Sequence, residues 1–250
     1  MAAEIRRVSD SIICIRRVSY LTCSYMVRTP RGLVLVDAGM DSDGADVQAG
    51  LEALGAAAAD VKAILLTHWH NDHTAGAQWI HERSSAPVFY HRADEKFFNG
   101  SGGATGVRKW LSDQIPELGV MVLAKGLLGE STPRPVDADT YVNNGDVVMD
   151  LFDVIATPGH TAGHVSFFYR PERALFAGDA LAVIDRKIRF MARPVTLDQA
   201  SARQSMMRCL TMNPALVCPG HREPLIDDVE RAVADMRRYL ESNGPWPLLG

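Results

Sequence analysis

The run Val61-Lys62-Ala63-Ile64-Leu65-Leu66 leads straight into Thr67-His68-Trp69-His70-Asn71-Asp72-His73. Its first part, Val61–Leu66, reads as a strand buried on both faces, which favours an apolar run over strict alternation. Three imidazoles and a carboxylate follow in the loop at its C-terminal end. Side chains two residues apart on extended chain share a side, so His68 and His70 can grip one ion together. Asp72 and His73 come after the chain turns and can face a second ion. Imidazole and carboxylate are good ligands for zinc and similar divalent ions. An isolated His-x-His says little, but His-x-His-x-Asp-His closing an apolar strand is specific.

The same design recurs downstream. Thr157-Pro158-Gly159-His160 follows Val154–Ala156, Gly178-Asp179 follows Leu175–Ala177, and Pro219-Gly220-His221 follows Leu216–Cys218. Each is a buried strand, a glycine and one ligand, the glycine permitting a sharp bend and close backbone approach. Five histidines and two aspartates (His68, His70, Asp72, His73, His160, Asp179, His221) suffice for two ions that share a carboxylate and a water.

The flanking sequence supplies the frame. Strands are expected at Ser11–Arg16, Cys23–Thr29 and Gly32–Asp37, the last two joined by the turn Pro30-Arg31-Gly32. A helix spans Asp43–Leu54 and stops at Gly55. Thr74–Arg83 reads as a helix and Pro87–His91 as a strand. Ala93–Asp139 reads as an insertion over the core of one domain spanning 1–250, with Gly100–Gly106 glycine-rich and Trp110–Leu128 helical but broken. Strand character returns at Asp146–Ala156, Val165–Tyr169 and Ala174–Ala177. Thr196–Thr211 is a helix with Thr196 and Gln199 as a capping box. A short strand, Ala215–Cys218, and a helix, Asp228–Leu240, close the chain. Strands then helix, twice, predict two sheets packed face to face with helices outside.

The 250 residues suffice for one large domain with a substantial core. A formal charge of −4 argues against a phosphate-binding face for nucleic acid. No apolar stretch reaches a membrane span or follows the N-terminus as a signal, so a cytoplasmic location and no membrane partner are expected. The four cysteines form no Cys-x-x-Cys pair and read as reduced thiols.

THWHNDH, TPGHTAGH, Gly178-Asp179 and Cys218-Pro219-Gly220-His221 together resemble the motifs of metallo-β-lactamase-fold hydrolases, over roughly residues 10–225. Asp37-Ala38-Gly39 is similar to that family's early strand-end motif. The resemblance implies an α/β (α+β) fold, a four-layer αββα sandwich of two mixed sheets with the metal site at their edge. It implies that His68, His70 and His160 hold one ion, that Asp72, His73 and His221 hold the other, and that Asp179 bridges them. Asp37 would support a ligand, and His164 would support the site rather than ligate. The ions would be two divalent metals, zinc first, with iron or manganese also accepted.

Two ions ~3.5–4 Å apart can hold a bridging hydroxide near neutral pH and polarise a substrate oxygen, so no Ser or Cys nucleophile is required. Asp72 is the candidate for moving a proton to the leaving group. The presence of Asp179 resembles the glyoxalase II-like and lactonase-like branches, which cleave thioesters and lactones, more than β-lactamases. Ala182 stands where quorum-sensing lactonases carry a tyrosine, and Arg237-Arg238-Tyr239 is a poor match to a glutathione-binding motif. Arg186 and Arg189 are candidates for gripping an anionic small-molecule substrate, and Trp69 for lining an apolar portion. An alternative is a persulfide dioxygenase-like enzyme with one iron on His68, His160 and Asp179. Phosphodiester cleavage is a further, weaker reading, and a homodimer is allowed.

Overall fold

The computed structural model describes residues 3–18, 21–98 and 134–247. A first sheet contains β1 (Glu4–Arg7), β2 (Ile12–Arg17), β3 (Thr22–Thr29), β4 (Gly32–Val36), β5 (Val61–Leu65), β6 (Val88–Tyr90) and β7 (Thr140–Tyr141), in that order. β1 to β4 are antiparallel, and β4 to β7 are parallel. A second sheet has the order β14-β11-β10-β9-β8, from β8 (Val147–Val148), β9 (Phe152–Ala156), β10 (Val165–Tyr169), β11 (Ala174–Gly178) and β14 (Leu216–Pro219). It is antiparallel except where β11 meets β14. A separate hairpin pairs β12 (Ala182–Ile184) with β13 (Lys187–Arg189).

Alternation along the strands builds four layers. Val34 and Val36 of β4 and Ala63 and Leu65 of β5 face Phe152, Val154, Phe167 and Phe176 of the other sheet. Leu33 and Leu35 point the other way, where they join Val47 and Leu51 of α1 (Ala45–Leu54) and Ile80 of α3 (Ala77–Ser84). On the far side, Phe168 and Leu175 pack with Met206 and Leu210 of α5 (Gln199–Thr211) and Val233 and Met236 of α6 (Val229–Glu241). Both central sheets are thus apolar on two faces, which is why their strands read as continuous apolar runs. Each fully buried Leu or Phe contributes about 1.5–3 kcal/mol. This is the expected αββα sandwich.

The turn at Pro30–Gly32 closes the β3–β4 hairpin, as expected. The expected helix Thr74–Arg83 is instead α2 (Asn71–Thr74) followed by α3. Between them the backbone is diverted to the Asp37 loop: Ala38 N–H donates to His73 O (2.6 Å) and Ala75 N–H to Gly39 O (3.1 Å). A Cβ at Gly76 would lie 2.4 Å from Ala38 O, so glycine permits the approach. Asp146–Ala156 is two strands, because Met149 and Asp150 turn through left-handed backbone. The N-terminal Glu4–Arg7, without apolar alternation, is also a strand, paired along β2. All four cysteines are free and buried. Among the described residues no helix is long and apolar enough to cross a membrane.

Of the insertion 93–139, Glu95–Phe98 forms α4 and Val136 N–H bonds Phe98 O. Gly100–Gly106 and the whole of the expected helix Trp110–Leu128 lie outside the described residues.

The expected capping box on α5 is replaced by another cap. Asp198 is the N-cap, and its carboxylate accepts from the backbone N–H groups of Ala200 and Ser201 at 3.0 and 3.1 Å. Thr196 Oγ1 instead donates to Ala192 O. Asp198→Ala should therefore destabilise the fold by about 1 kcal/mol, and Gln199→Ala should be near neutral. Denaturant midpoints of the two variants check this, and the reverse order would restore the Thr196–Gln199 box.

Candidate metal centre

Strand direction alone brings the candidate ligands together. In the second sheet β9, β11 and β14 run the same way, so His160, Asp179 and His221 follow strand ends on one edge. In the first sheet β4 and β5 are likewise parallel, and Asp37 and His68 lie just past their ends. Hydrogen bonds stitch the two edges together: Val165 N–H to Thr67 O at 2.9 Å and Cys23 N–H to Gly220 O at 2.8 Å. Glycine is required at the closest approaches. A Cβ at Gly220 would stand 2.3 Å from Asp179 Oδ1, and one at Gly178, whose φ is +51°, 2.8 Å from His164 Nε2.

Three imidazole nitrogens converge on one side. His70 Nδ1 lies 3.0 Å from His68 Nε2 and 2.9 Å from His160 Nε2. The His68 tautomer follows from its neighbours. Thr67 Oγ1 donates its proton to the Asp37 carboxylate (2.9 Å) and so accepts from His68 Nδ1–H (3.0 Å). The Nε2 lone pair of His68 is thereby aimed at the cluster. Burial, with His73, His70 and His160 adding to it, holds His68 well below the usual imidazole range. Burial and His160 push His70 down to about 3. A cation placed among these nitrogens would meet the lone pairs of all three rings.

The second cluster is Asp72, His73 and His221. His73 Nδ1–H donates to Asp37 Oδ2 at 3.0 Å, freeing Nε2 to face His221 Nε2 (3.4 Å), Asp179 Oδ1 (3.6 Å) and Asp72 Oδ2 (3.7 Å). Asp179 reaches both clusters. Its Oδ2 is 3.3 Å from His160 Nε2 and 3.4 Å from His221 Nε2, and its Oδ1, buried, has no hydrogen-bond partner. An orphaned, buried carboxylate oxygen among imidazoles is costly unless a cation meets it. The donor set fits two divalent ions, and the ligand atoms within each cluster lie within 4.8 Å of one another.

His164 binds with both nitrogens. Its Nε2 accepts from Asp179 N–H at 2.9 Å, so Nδ1 carries the proton and donates to Thr157 Oγ1 at 2.7 Å. Asp37 serves two elements at once, His73 and Thr67, from a left-handed backbone (φ 55°) that aspartate tolerates better than most residues. Trp69 is partly buried and stacks on Phe97 (4.4 Å, 19°), edge-on to His70. Arg186 pairs with Asp227 and Asp228 at 3.3 Å, and Arg189 is exposed on β13; neither has a described contact with the cluster. Arg238 and Tyr239 of α6 bond to Asp235 and Pro245 O. His91 caps the turn at Arg92–Asp94, and His81 bonds Ala86 O. Sequence reasoning missed Thr67, Asp94 and Phe97. Thr67 stood inside the quoted motif, whereas Asp94 and Phe97 had no motif to mark them.

The two clusters differ in protonation. Burial opposes the charged form of His73 and His221, but Asp72 and Asp179 outweigh it and raise them to about 10 and about 9. Both are imidazolium near neutral pH when no ion is bound, whereas His68 and His70 are neutral. Loading two ions near neutral pH should therefore release about two protons. Apparent affinity should rise with pH until both rings are neutral, near about 10. Calorimetric titration in buffers of different ionisation enthalpy measures the release; none would contradict this charge assignment.

The chain is similar in sequence and fold to known proteins. The chain is 30% identical over 214 residues to the "Probable metallo-hydrolase YflN" of Bacillus subtilis (strain 168), covering 78% of this chain and 77% of that protein. Its fold is similar to the crystal structure of metallo-beta-lactamase family protein TTHA1429 from Thermus thermophilus, with TM-score 0.66, 21% identity, and coverage of 94% of this chain and 81% of that one. It is also similar to TTHA1623 solved in a di-iron-bound form, with TM-score 0.63, 24% identity, and coverage of 84% and 92%. The family model described as Metallo-beta-lactamase superfamily matches residues 21–221. The fold, the clustered ligands and this match show that the chain belongs to the metallo-beta-lactamase superfamily and is a metal-dependent hydrolase.

Proposed function

We propose that the chain hydrolyses a small-molecule ester, thioester or lactone in a site with two divalent ions, zinc in the first instance. His68, His70 and His160 hold one ion, Asp72, His73 and His221 hold the other, and Asp179 bridges. The observation that carries this reading is Asp179, whose two carboxylate oxygens face ligands of both clusters from a buried position. Two ions held there would supply a water of lowered pKa and polarisation of an ester carbonyl.

The chain's residues set up the rest. Asp37 and Thr67 fix the His73 and His68 tautomers, so each ring presents Nε2. Asp179 is buried, while the Asp72 side chain is about a quarter exposed (26%) at the mouth. Asp72 is the group placed to pass a proton to the departing alkoxide or thiolate. The stacked Trp69 and Phe97 lie beside His70 and offer an apolar face to an acyl portion. The bridging carboxylate favours the thioester- and lactone-cleaving branch of the superfamily over β-lactam hydrolysis. The Arg186 guanidinium is already engaged by two aspartates, so an anionic substrate group draws no support from it.

Asp179→Ala should lower both bound metal and hydrolysis, assayed by elemental analysis and a panel of thioester, lactone and phosphodiester substrates. Two retained ions with full activity would sink the bridging role. Phe97→Ala should raise KM for long-acyl substrates several-fold and leave short-acyl ones unchanged; equal effects on both would remove the apolar face from the account.

A further inference from the structure

We infer that Asp94 is a positioning residue that clasps the His160 loop of the first metal trio, an inference that rests on the two-ion reading above. Asp94 lies in the turn Arg92–Asp94 just before α4, and is 1% exposed. Its Oδ2 accepts from Thr161 Oγ1 at 2.7 Å and its Oδ1 from Gly163 N–H at 2.8 Å. Thr161 directly follows His160, so this carboxylate fixes the loop on which His160 sits, and His160 Nε2 meets His70 Nδ1 at 2.9 Å. Phe97, three residues after Asp94, stacks on Trp69, which lies between His68 and His70.

The contact is a close one. A Cβ at Gly163 would fall 2.7 Å from Asp94 Oδ1 and from its backbone nitrogen, so only glycine lets that loop close on the carboxylate. Asp94 has no Lys or Arg ion pair among the described residues. A buried carboxylate without a cation is costly and persists where several donors satisfy it. Here those donors come from the loop that carries His160, and an apolar residue at this position would leave Thr161 Oγ1 and Gly163 N–H without their acceptor beside that ligand.

The test uses the full chain, stripped of metal and titrated with zinc against a chromogenic chelator. Asp94→Ala removes the clasp, and Asp94→Asn keeps an acceptor for Gly163 N–H. Loss of such a supporting group costs about 10–100-fold in metal affinity. We expect a loss of that size for one of the two ions in Asp94→Ala and a smaller one in Asp94→Asn, with kcat falling more than KM. The thermal midpoint of the metal-free protein, read in parallel, should move little in Asp94→Asn. Both variants binding both ions like the wild type, or losing metal-free stability with affinity unchanged, would overturn the clasp. A wild-type chain that binds no zinc would instead overturn the two-ion reading itself.

Discussion

The site depends on one buried carboxylate, Asp179, whose two oxygens face the imidazoles of both clusters. Asp179 is 4% exposed and has an oxygen without a hydrogen-bond partner. His70 Nδ1 meets His68 Nε2 at 3.0 Å and His160 Nε2 at 2.9 Å, and burial lowers all three rings below the usual imidazole range. With no ion bound, the imidazolium forms of His73 and His221 offset part of the carboxylate charge, and metal ions would replace those protons. The protein interior is thus preorganised for positive charge.

The surrounding fold keeps this arrangement in place. Parallel strand ends set the ligands on one edge, and the bonds between Val165 and Thr67 and between Cys23 and Gly220 hold the two sheets in register there. Asp37 then ties a residue of each cluster to one carboxylate, His73 directly and His68 through Thr67. The inter-sheet core, built from Phe152, Phe167 and Phe176 against Val34, Val36 and Leu65, supplies the rigidity behind it. Supporting groups of this kind govern metal affinity and reactivity as much as the ligands do.

Much of this is legible in the sequence, for physical reasons. Buried strands announce themselves as apolar runs, and ligands at their ends appear as short motifs with glycine, so the seven clustered residues could be read along the chain. The two-layer core was predictable from the order of elements. What could not be read is the consequence of contacts between distant segments. The break between α2 and α3 exists because residues 73–75 bond to the Asp37 loop, which local helix propensity does not register. Asp198 rather than Thr196 caps α5, because the chain at Thr196 is still in a preceding turn. No motif in the sequence marks Asp94. Its burial arises only when Thr161 and Gly163 fold over it. Arg186 read as a basic cluster after Asp179, but its partners, Asp227 and Asp228, come from more than forty positions later.

The central claim is that Asp179 lies between two cations. Anomalous diffraction from crystals of the zinc-loaded chain tests it directly. The account predicts two peaks ~3.5–4 Å apart, one beside His68, His70 and His160 and the other beside Asp72, His73 and His221, with Asp179 touching both. A single peak on His68, His160 and Asp179, with His73 and His221 unligated, would contradict it.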